Sequence, residues 1–312
     1  MSERPPLVVL VGPTAVGKTA LAVHLCQKFG AEVVGADSVQ VYRGLDIGSA
    51  KPTARERTLA PHHLVDVAEP DRPLDAAAYA RLADEAIAEL ARRGKRVIVA
   101  GGSGLYIKAL LQGLAPAPPV DPALRAELAA QWQEQGPQAM HARLAELDPQ
   151  AADRLHPNDR QRVLRALEVC LQTGEPFSRL QQRHGFQKSR YPHLLIGLTR
   201  PRQELNRRID LRCRQMWDQG LLQEVEGLLK RGVPPQVRPL QSLGYRHALM
   251  VLLEGMAPAE ALALMIRDTK AYAKRQMTWF RGLEGIHWHL PEDLAGVSRR
   301  VRNFWETRGE MP

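Results

Sequence analysis

Short apolar runs recur along the chain, each bounded by glycine or by polar residues. They lie at residues 7–11, 31–37, 62–67, 96–100 and 194–199. The runs at 7–11 and 96–100 are β-branched and bounded by glycine, which is typical of buried parallel strands, and the other three are similar. Amphipathic helical patterns fall between them, and the clearest spans 74–94 and ends at Gly94, placed as a C′ residue. This alternation predicts an α/β fold with a doubly wound parallel sheet.

The pattern changes after a proline-rich connection at 115–122. From about 123 to 184 the chain reads as helical, without a strand-like run, and it is mostly helical again after 200. We therefore predict an α/β core, with a helical C-terminal region, formed by residues 1–119 and 190–312. An inserted all-α subdomain is predicted over 120–189.

Composition narrows the class of protein. Hydrophobic residues make up 44% of the 312 residues, as in a globular protein, and no apolar run approaches the roughly 20 residues that span a bilayer. The three cysteines are far apart, which excludes a paired disulfide framework and a CxxC metal site. With no secretory signal at the N-terminus, we expect a cytoplasmic protein without a membrane partner.

The charge favours a polyanionic partner. The net charge is +9, and residues 191–312 alone carry 19 basic and 13 acidic residues. A generic basic surface is the alternative explanation.

One motif of the nucleotide-binding, ATP-binding type follows the first strand. It fits GxxxxGK[ST] in full, with a strand before it and a helix after it. Its backbone N–H groups and the helix N-terminus would bind phosphate, Lys18 would add a point charge, and the Thr19 hydroxyl could ligate Mg²⁺. The loop residues are Gly12, Pro13, Thr14, Ala15, Val16, Gly17, Lys18 and Thr19.

The acidic residue that nucleotide hydrolases place at the end of a neighbouring strand is not evident. The strand at 96–100 runs into "GGSGLY" (101–106), which offers glycines and a hydroxyl. Asp66 could supply the carboxylate, but it is more simply explained as the end of a strand. The motif therefore predicts that the α/β core is a P-loop NTPase-like catalytic core, with a phosphate site that lacks the usual acidic residue for nucleotide hydrolysis.

Asp37 follows an apolar run, at the edge of a parallel sheet where ligands bind. Its carboxylate could accept a proton or bond an amine, and it could equally cap a following turn. Sequence spacing leaves both roles open.

Two basic segments could contact nucleic acid. Arg162 and Arg165 share one helical face, opposite a stripe predicted to be buried through Leu164, Leu167 and Leu171. The segment 271–282 interleaves basic and aromatic residues, as in proteins that bind single strands. A solvated helix face and a core-facing aromatic stripe explain the same patterns.

Taken together, these motifs closely resemble the bacterial tRNA dimethylallyltransferases, also called tRNA isopentenyltransferases. The resemblance runs from about residue 7 to about 285. It rests on "GPTAVGKT" (12–19), "DSVQVYRGLDIGSAKP" (37–52), "HHLVDV" (62–67), "GGSGLY" (101–106), "HPNDRQRVLRALEV" (156–169), "QSLGYR" (241–246) and "KRQMTWFR" (274–281).

The resemblance implies that the loop binds the diphosphate of dimethylallyl diphosphate. The dimethylallyl group would go to N6 of the adenosine 3′-adjacent to the anticodon, tRNA position 37, and diphosphate would leave. Mg²⁺ is the implied cofactor, and the anticodon stem-loop of tRNA is the implied partner. We expect the helical insertion at 120–189 and the basic C-terminal third to bind that stem-loop, and we expect the protein to be a monomer.

The resemblance also implies roles for single residues. Asp37 would be the base, and Ser103, where most members have Thr, would hold the amine. Lys18, Arg208 and Arg212 would stabilise the departing diphosphate, with Mg²⁺ on Thr19. Gln161, Arg162 and Arg165 would make the most direct tRNA contacts. The full implied tRNA-binding set is Asp37, Ser38, Val39, Gln40, Ser103, Arg125, Gln161, Arg162, Val163, Leu164, Arg165, Gly244, Tyr245, Arg246, Lys274, Arg275, Gln276, Trp279 and Arg281.

Three alternatives remain. A P-loop nucleotide kinase would transfer a γ-phosphoryl group from ATP and has no use for the arginine face. An adenylate isopentenyltransferase would prenylate free AMP, which needs no helical insertion. A non-catalytic tRNA-binding module would tolerate loss of Asp37.

Overall fold

The computed structural model describes residues 4–185 and 189–309, with the backbone alone for 308 and 309. The chain forms two compact units. The core unit comprises the residues up to Leu111 and those from Arg190 onward, and the helical unit comprises Gln112–Ser189. Across the described ranges, no helix is both long and apolar enough to cross a membrane.

Six parallel strands form the sheet of the core unit, in the order β3-β2-β4-β1-β5-β6. Their bounds are β1 Leu7–Val11, β2 Ala31–Ala36, β3 His62–His63, β4 Arg96–Gly101, β5 His193–Leu198 and β6 His287–His289. The side chains of β1 and β2 are buried throughout, as expected for strands covered on both faces. The predicted α/β class with a parallel sheet is confirmed.

Helices and loops connect these strands. In chain order they are α1 Lys18–Phe29, α2 Ala54–Leu59, α3 Ala76–Arg92, α4 Gly104–Gln112, α5 Pro122–Leu147, α6 Pro149–Arg154, α7 Arg160–Thr173, α8 Phe177–His184, α9 Arg202–Asp218, α10 Leu221–Lys230, α11 Tyr245–Glu254, α12 Pro258–Arg281 and α13 Leu294–Gly309. A 3₁₀ turn at Arg238–Gln241 precedes α11, and α5 is interrupted at Gly136, whose φ is 81°.

The strand register aligns three loops at one edge of the sheet. Ala36 of β2 and Val11 of β1 both pair with Gly101 of β4, so the chain leaves these three strands side by side. A Cβ atom on Gly101 would lie 2.0 Å from the Ala36 carbonyl oxygen, so only glycine allows this approach. The residues that follow β1, β2 and β4 are therefore held close together.

Some predicted elements differ from those observed. The strand predicted over 62–67 is wrong beyond His63, because Leu64 and Asp66 have φ values of 61° and 59° and leave the strand. The three-residue strand β6 was not predicted. The helix predicted at 74–94 spans 76–92, and Gly94 follows it with a φ of 67°, as expected for a C′ residue.

The helical unit has its own apolar core. It is built from α5, α6 and α7 and includes Leu128, Met140, Leu144, Ala151, Ala152, Val163, Leu164, Ala166 and Leu167. Within the described part of this unit the elements are all helical, as predicted for 123–184. The prediction that Leu171 is buried is wrong, since it lies one turn beyond Leu167 and is 39% exposed.

Candidate active site

The phosphate-binding motif folds into a loop between β1 and the first turn of α1. Gly12 and Gly17 have φ values of 150° and 116°, and a Cβ atom on Gly12 would lie 2.8 Å from the Leu198 carbonyl oxygen. Lys18 Nζ donates to the carbonyl oxygens of Gly12 and Pro13, at 2.9 and 2.8 Å. Thr19 lies half-buried in the first turn of α1, where the helix dipole favours an anion.

Burial and neighbouring charges perturb the ammonium group of Lys18. Its pKa is lowered from 10.5 to about 8, first by burial and then by the Arg212 guanidinium, while the Asp37 carboxylate opposes the shift. Burial also lowers the pKa of Arg212, and Asp37 again opposes the change. Lys18, Arg212 and Asp37 therefore lie within electrostatic reach of one another. Two cations and one carboxylate therefore influence one another's charge at the phosphate loop.

Asp37 immediately follows β2 and caps the turn after it. Its Oδ1 accepts hydrogen bonds from the N–H groups of Val39 at 2.9 Å and Gln40 at 3.3 Å. The capping role left open by the sequence is thus confirmed. Among the described residues Oδ2 has no hydrogen-bond partner, so one carboxylate oxygen is left for another role.

Ser103 ties the loop after β4 to the loop after β2. Its Oγ accepts from the Ser38 N–H at 2.9 Å and donates to Ser38 Oγ at 3.1 Å. Its own N–H donates to the Ala36 carbonyl oxygen at 3.1 Å. The hydroxyl predicted to hold the substrate amine is therefore next to the Asp37 turn.

Helix α9 supplies arginines to the outer side of the phosphate loop. Arg208 Nε donates to the Ala15 carbonyl oxygen at 2.8 Å. Arg200, which precedes α9 and was not predicted, donates from Nε to the Val16 carbonyl oxygen at 2.9 Å and forms ion pairs with Glu204 and Glu292. These contacts fix the loop backbone from outside.

Gln276 of α12 also contacts the phosphate loop. Its Oε1 accepts from the Thr14 N–H, and its Nε2 donates to the Gly102 carbonyl oxygen, both at 2.9 Å. The side chain is buried. The sequence resemblance suggested a tRNA contact here, whereas the observed contacts are to two loops of the core unit.

The loop after β2 is anchored by charged groups that the sequence reasoning missed. The Glu224 carboxylate accepts from the N–H groups of Asp46, Ile47 and Gly48 and from the Tyr245 hydroxyl, at 2.7–3.2 Å. The loop is therefore held in place from α10 and α11.

Lys51 secures the same loop from within. Its buried ammonium contacts the Tyr42 carbonyl oxygen and the carboxylates of Asp46 and Asp66. Hydrogen bonds from Lys51 and Arg57 outweigh burial and lower the pKa of Asp66. Asp66 is thus paired with cations away from a strand end, and the observed pairing gives it a structural role.

The remaining predicted tRNA-binding residues of the core unit fall into two groups. Lys274, Arg275 and Arg281 are exposed along α12, and Ser38 is exposed in the Asp37 turn. The others are fixed by local contacts. Gln40 donates to the carbonyl oxygens of Ser49 and Ala50, and Arg246 pairs with Asp268. Gly244 and Tyr245 are buried, and Val39 is half-buried. Trp279 packs against Gly104.

In the helical unit the predicted arginines differ in exposure. Arg162 is 72% exposed and lies 3.5 Å from Asp159, and Gln161 beside it is exposed. Arg125 and Arg165 instead pair with the fully buried Glu168. Val163 and Leu164 belong to the apolar core. An acidic residue on the apolar face of a predicted helix, as Glu168 is, was the available signal for this pairing.

No cluster of three or more His, Cys, Asp or Glu side chains able to hold a metal ion occurs in the part of the chain that the structure describes.

The chain was compared with known proteins. The family model described as IPP transferase matches residues 40–283. The chain is 49% identical over 300 residues to tRNA dimethylallyltransferase 2 of Geotalea uraniireducens, covering 96% of this chain and 97% of that protein.

Solved structures agree with this match. The full-length tRNA isopentenylpyrophosphate transferase from Bacillus halodurans is 36% identical with a TM-score of 0.72, covering 99% of each chain. A eukaryotic dimethylallyltransferase acting on tRNA is 27% identical with a TM-score of 0.77, covering 91% of this chain and 73% of that one. The chain therefore belongs to the IPP transferase family, the family of the tRNA dimethylallyltransferases.

Proposed function

We propose that the chain transfers a dimethylallyl group from dimethylallyl diphosphate to N6 of the adenosine that follows the anticodon of tRNA. The observation that carries this proposal is the adjacency of two kinds of loop. The phosphate loop after β1 and the Asp37 and Ser103 loops after β2 and β4 leave neighbouring strands at one sheet edge. A diphosphate and an amine held there would meet.

The donor site is proposed to lie in the phosphate loop. Loop N–H groups and the N-terminus of α1 would bind the diphosphate, while Lys18, Arg208 and Arg212 would offset the charge that grows as it leaves. Mg²⁺ fits this site, because the hydroxyl at the position of Thr19 in a phosphate-loop motif is a Mg²⁺ ligand, and substrate phosphates and water can complete the shell. When bound, the ion would supply further positive charge to the leaving diphosphate.

The acceptor site is proposed to lie at Asp37. The N6 lone pair forms a bond to C1 of the dimethylallyl group, and the bond from C1 to the diphosphate oxygen breaks. Asp37 Oδ2 takes the N6 proton and later releases it to water. Ser103 would orient the amine from the adjacent loop.

Exposed polar residues on each unit are proposed to contact tRNA. On the core unit they are Ser38, Lys274, Arg275 and Arg281, and on the helical unit they are Gln161 and Arg162. Binding of tRNA by these residues would offset the few kcal/mol needed to take the target base out of its stack. The enzyme is proposed to act as a monomer in the cytoplasm.

A transfer assay tests the proposal. Purified protein and Mg²⁺ are incubated with labelled dimethylallyl diphosphate and unmodified tRNA that carries adenosine after the anticodon. Label is expected in that tRNA and absent from the same tRNA with guanosine at this position. Label in AMP instead of tRNA would indicate an adenylate isopentenyltransferase, and consumption of ATP without prenyl transfer would indicate a kinase.

A further inference from the structure

Gln276 connects the two loops that the proposed reaction brings together. Its amide accepts from Thr14 N–H in the phosphate loop and donates to the Gly102 carbonyl oxygen in the loop after β4, at 2.9 Å in both cases. We propose that Gln276 is a positioning residue. It holds the phosphate loop after β1 and the loop after β4, here called the acceptor loop, at a fixed separation. This inference rests on the proposed function.

The chemistry of the partners fixes the orientation of the amide. A backbone N–H can only donate and a backbone carbonyl can only accept, so Oε1 must face Thr14 and Nε2 must face Gly102. Gln276 is only 7% exposed, which leaves little room for a second arrangement. A side chain able to accept at one end and donate at the other is required here.

The space around Gly102 is matched to this side chain. A Cβ atom on Gly102 would lie 2.4 Å from Gln276 Nε2, and the next nearest atoms are 3.7 Å or more away. The absence of a side chain at position 102 therefore makes room for the amide. Gly102 and Gln276 form a complementary pair, although 174 residues separate them.

The two hydrogen bonds of Gln276 connect it to the loops that carry the groups proposed to perform the reaction. Thr14 lies in the same loop as Lys18, and Gly102 precedes Ser103. Ser103 in turn bonds Ser38, the neighbour of Asp37. An error in the spacing of the two loops would misplace the amine against the carbon it attacks, and small misplacements reduce rate strongly. Gln276 thus acts through Lys18, Ser103 and Asp37 without touching substrate.

The variant Gln276→Glu separates positioning from mere packing. A carboxylate still accepts from Thr14 N–H, but it opposes the Gly102 carbonyl oxygen unless it carries a proton. We expect single-turnover transfer to tRNA at about pH 8 to fall at least ~10-fold. Burial and the facing carbonyl oxygen should raise the pKa of this carboxyl, so activity relative to wild type should recover toward pH 6, where more of the acid carries the proton that it donates to Gly102. Affinity for tRNA should stay within about twofold of wild type.

Two controls accompany this variant. Gln276→Met keeps the volume but neither accepts nor donates well, so its loss should persist at every pH. Gln203→Glu makes the same chemical change at an exposed position of α9 and should leave the pH profile of wild type unchanged.

A double-mutant cycle covers the case in which Gln276→Glu fails to fold. Gly102→Ala should reduce transfer because its methyl group displaces the amide. Combined with Gln276→Ala, it should cost no more than Gln276→Ala alone, since the displaced group is gone. Fully additive losses would overturn the pairing.

Other outcomes also decide the matter. If Gln276→Glu follows the wild-type pH profile, the positioning role is wrong. If it weakens tRNA binding while the rate on bound tRNA is unchanged, Gln276 is a tRNA contact. If wild type itself transfers no label, the proposed function fails and the positioning role fails with it, whereas wild-type transfer with an unaltered pH profile of Gln276→Glu overturns the positioning role alone.

Discussion

One pair of substitutions can separate the observed capping role of Asp37 from its proposed role as the base. Asn keeps an Oδ1 acceptor for the turn but is not a base, whereas Ala loses both. We predict that Asp37→Asn reduces transfer by roughly 100-fold or more, at nearly wild-type stability. Asp37→Ala should show the same loss of rate and an additional destabilisation of about 1 kcal/mol, the usual contribution of a cap.

Single-turnover transfer with bound tRNA and urea denaturation measure these two effects. Binding of tRNA should change little in either variant, which separates catalysis from recognition. Wild-type turnover in Asp37→Asn would mean that the carboxylate serves the turn alone.

The lowered pKa of Lys18 predicts that the affinity for the donor depends on pH. With its pKa lowered to about 8, the ammonium is charged below that pH and neutral above it. Affinity for an unreactive dimethylallyl diphosphate analogue should therefore fall as pH rises past 8, by up to ~10-fold per pH unit for one proton. Titration calorimetry between about pH 7 and 9.5 measures this.

Lys18→Arg is the matched control, because a guanidinium stays charged over this range. Any pH dependence left in that variant belongs to other groups, such as the ligand. Equal slopes for the two proteins would show that Lys18 does not titrate in the free enzyme.

At the residue scale, the sequence identified groups that act near their own motif. Lys18, Thr19 and Asp37 could be named because each lies in, or next to, a strand-loop pattern with a known physical purpose. Gln276 was assigned as a tRNA contact and Glu224 was missed, since the loop residues that they bind are 174 or more residues away. Local spacing carries no information about such contacts.

Of the two arginines predicted on one face of α7, Arg162 is exposed to solvent, whereas Arg165 pairs with the buried Glu168. Arg162→Ala should weaken tRNA binding and reduce the slope of log affinity against log salt by up to about one. The free energy of unfolding should hardly change, since exposed ion pairs contribute little. Filter binding across a salt series checks this, and an unchanged slope would show that Arg162 makes no phosphate contact.

The buried carboxylate of Glu168, in the same helix, predicts an effect on the stability of the helical unit. It accepts from Asp121 N–H and pairs with Arg125 and Arg165, and its side chain is fully buried. Glu168→Ala should destabilise the helical unit by about 2–3 kcal/mol, because hydrogen bonds to a charged group are lost and two arginines lose their partner. Hydrogen exchange within Gln112–Ser189 would report the loss.

Glu175→Ala is the comparison for Glu168→Ala, since Glu175 pairs with Arg183 at the surface of the same unit. Its loss should change stability by less than ~1 kcal/mol. Similar losses of stability for the two substitutions would contradict the stabilising role given to the buried ion pairs of Glu168.

Elements with strong patterns were predictable, and short ones were not. The strands at the centre of the sheet are apolar on both faces, which gives an uninterrupted run of Val, Leu and Ile. β6 has three residues, two of them histidine, so no periodicity marks it. The run at 62–67 looks like a strand, but positive φ at Leu64 and Asp66 cannot be read from β-branched neighbours.

For the molecule as a whole, the net charge of +9 predicts salt-sensitive recognition of tRNA. Raising salt from about 50 to 200 mM should reduce kcat/KM for tRNA far more than donor affinity, because counterions are displaced from many phosphates. An anticodon stem-loop fragment should show the same slope as whole tRNA if the contacts lie on that part. A markedly smaller slope would place contacts elsewhere on the tRNA.

The interrupted core unit also has a consequence for the order in which the protein matures on the ribosome. β1 lies between β4, which is made early, and β5, which is made only after the whole helical unit. The helical unit is continuous in sequence and can fold as it emerges, whereas β1 must wait for a distant partner. Arg200, Arg208 and Gln276 come later still. A nascent chain shorter than 276 residues would therefore contain the complete phosphate-loop motif without the side chain that joins it to the acceptor loop.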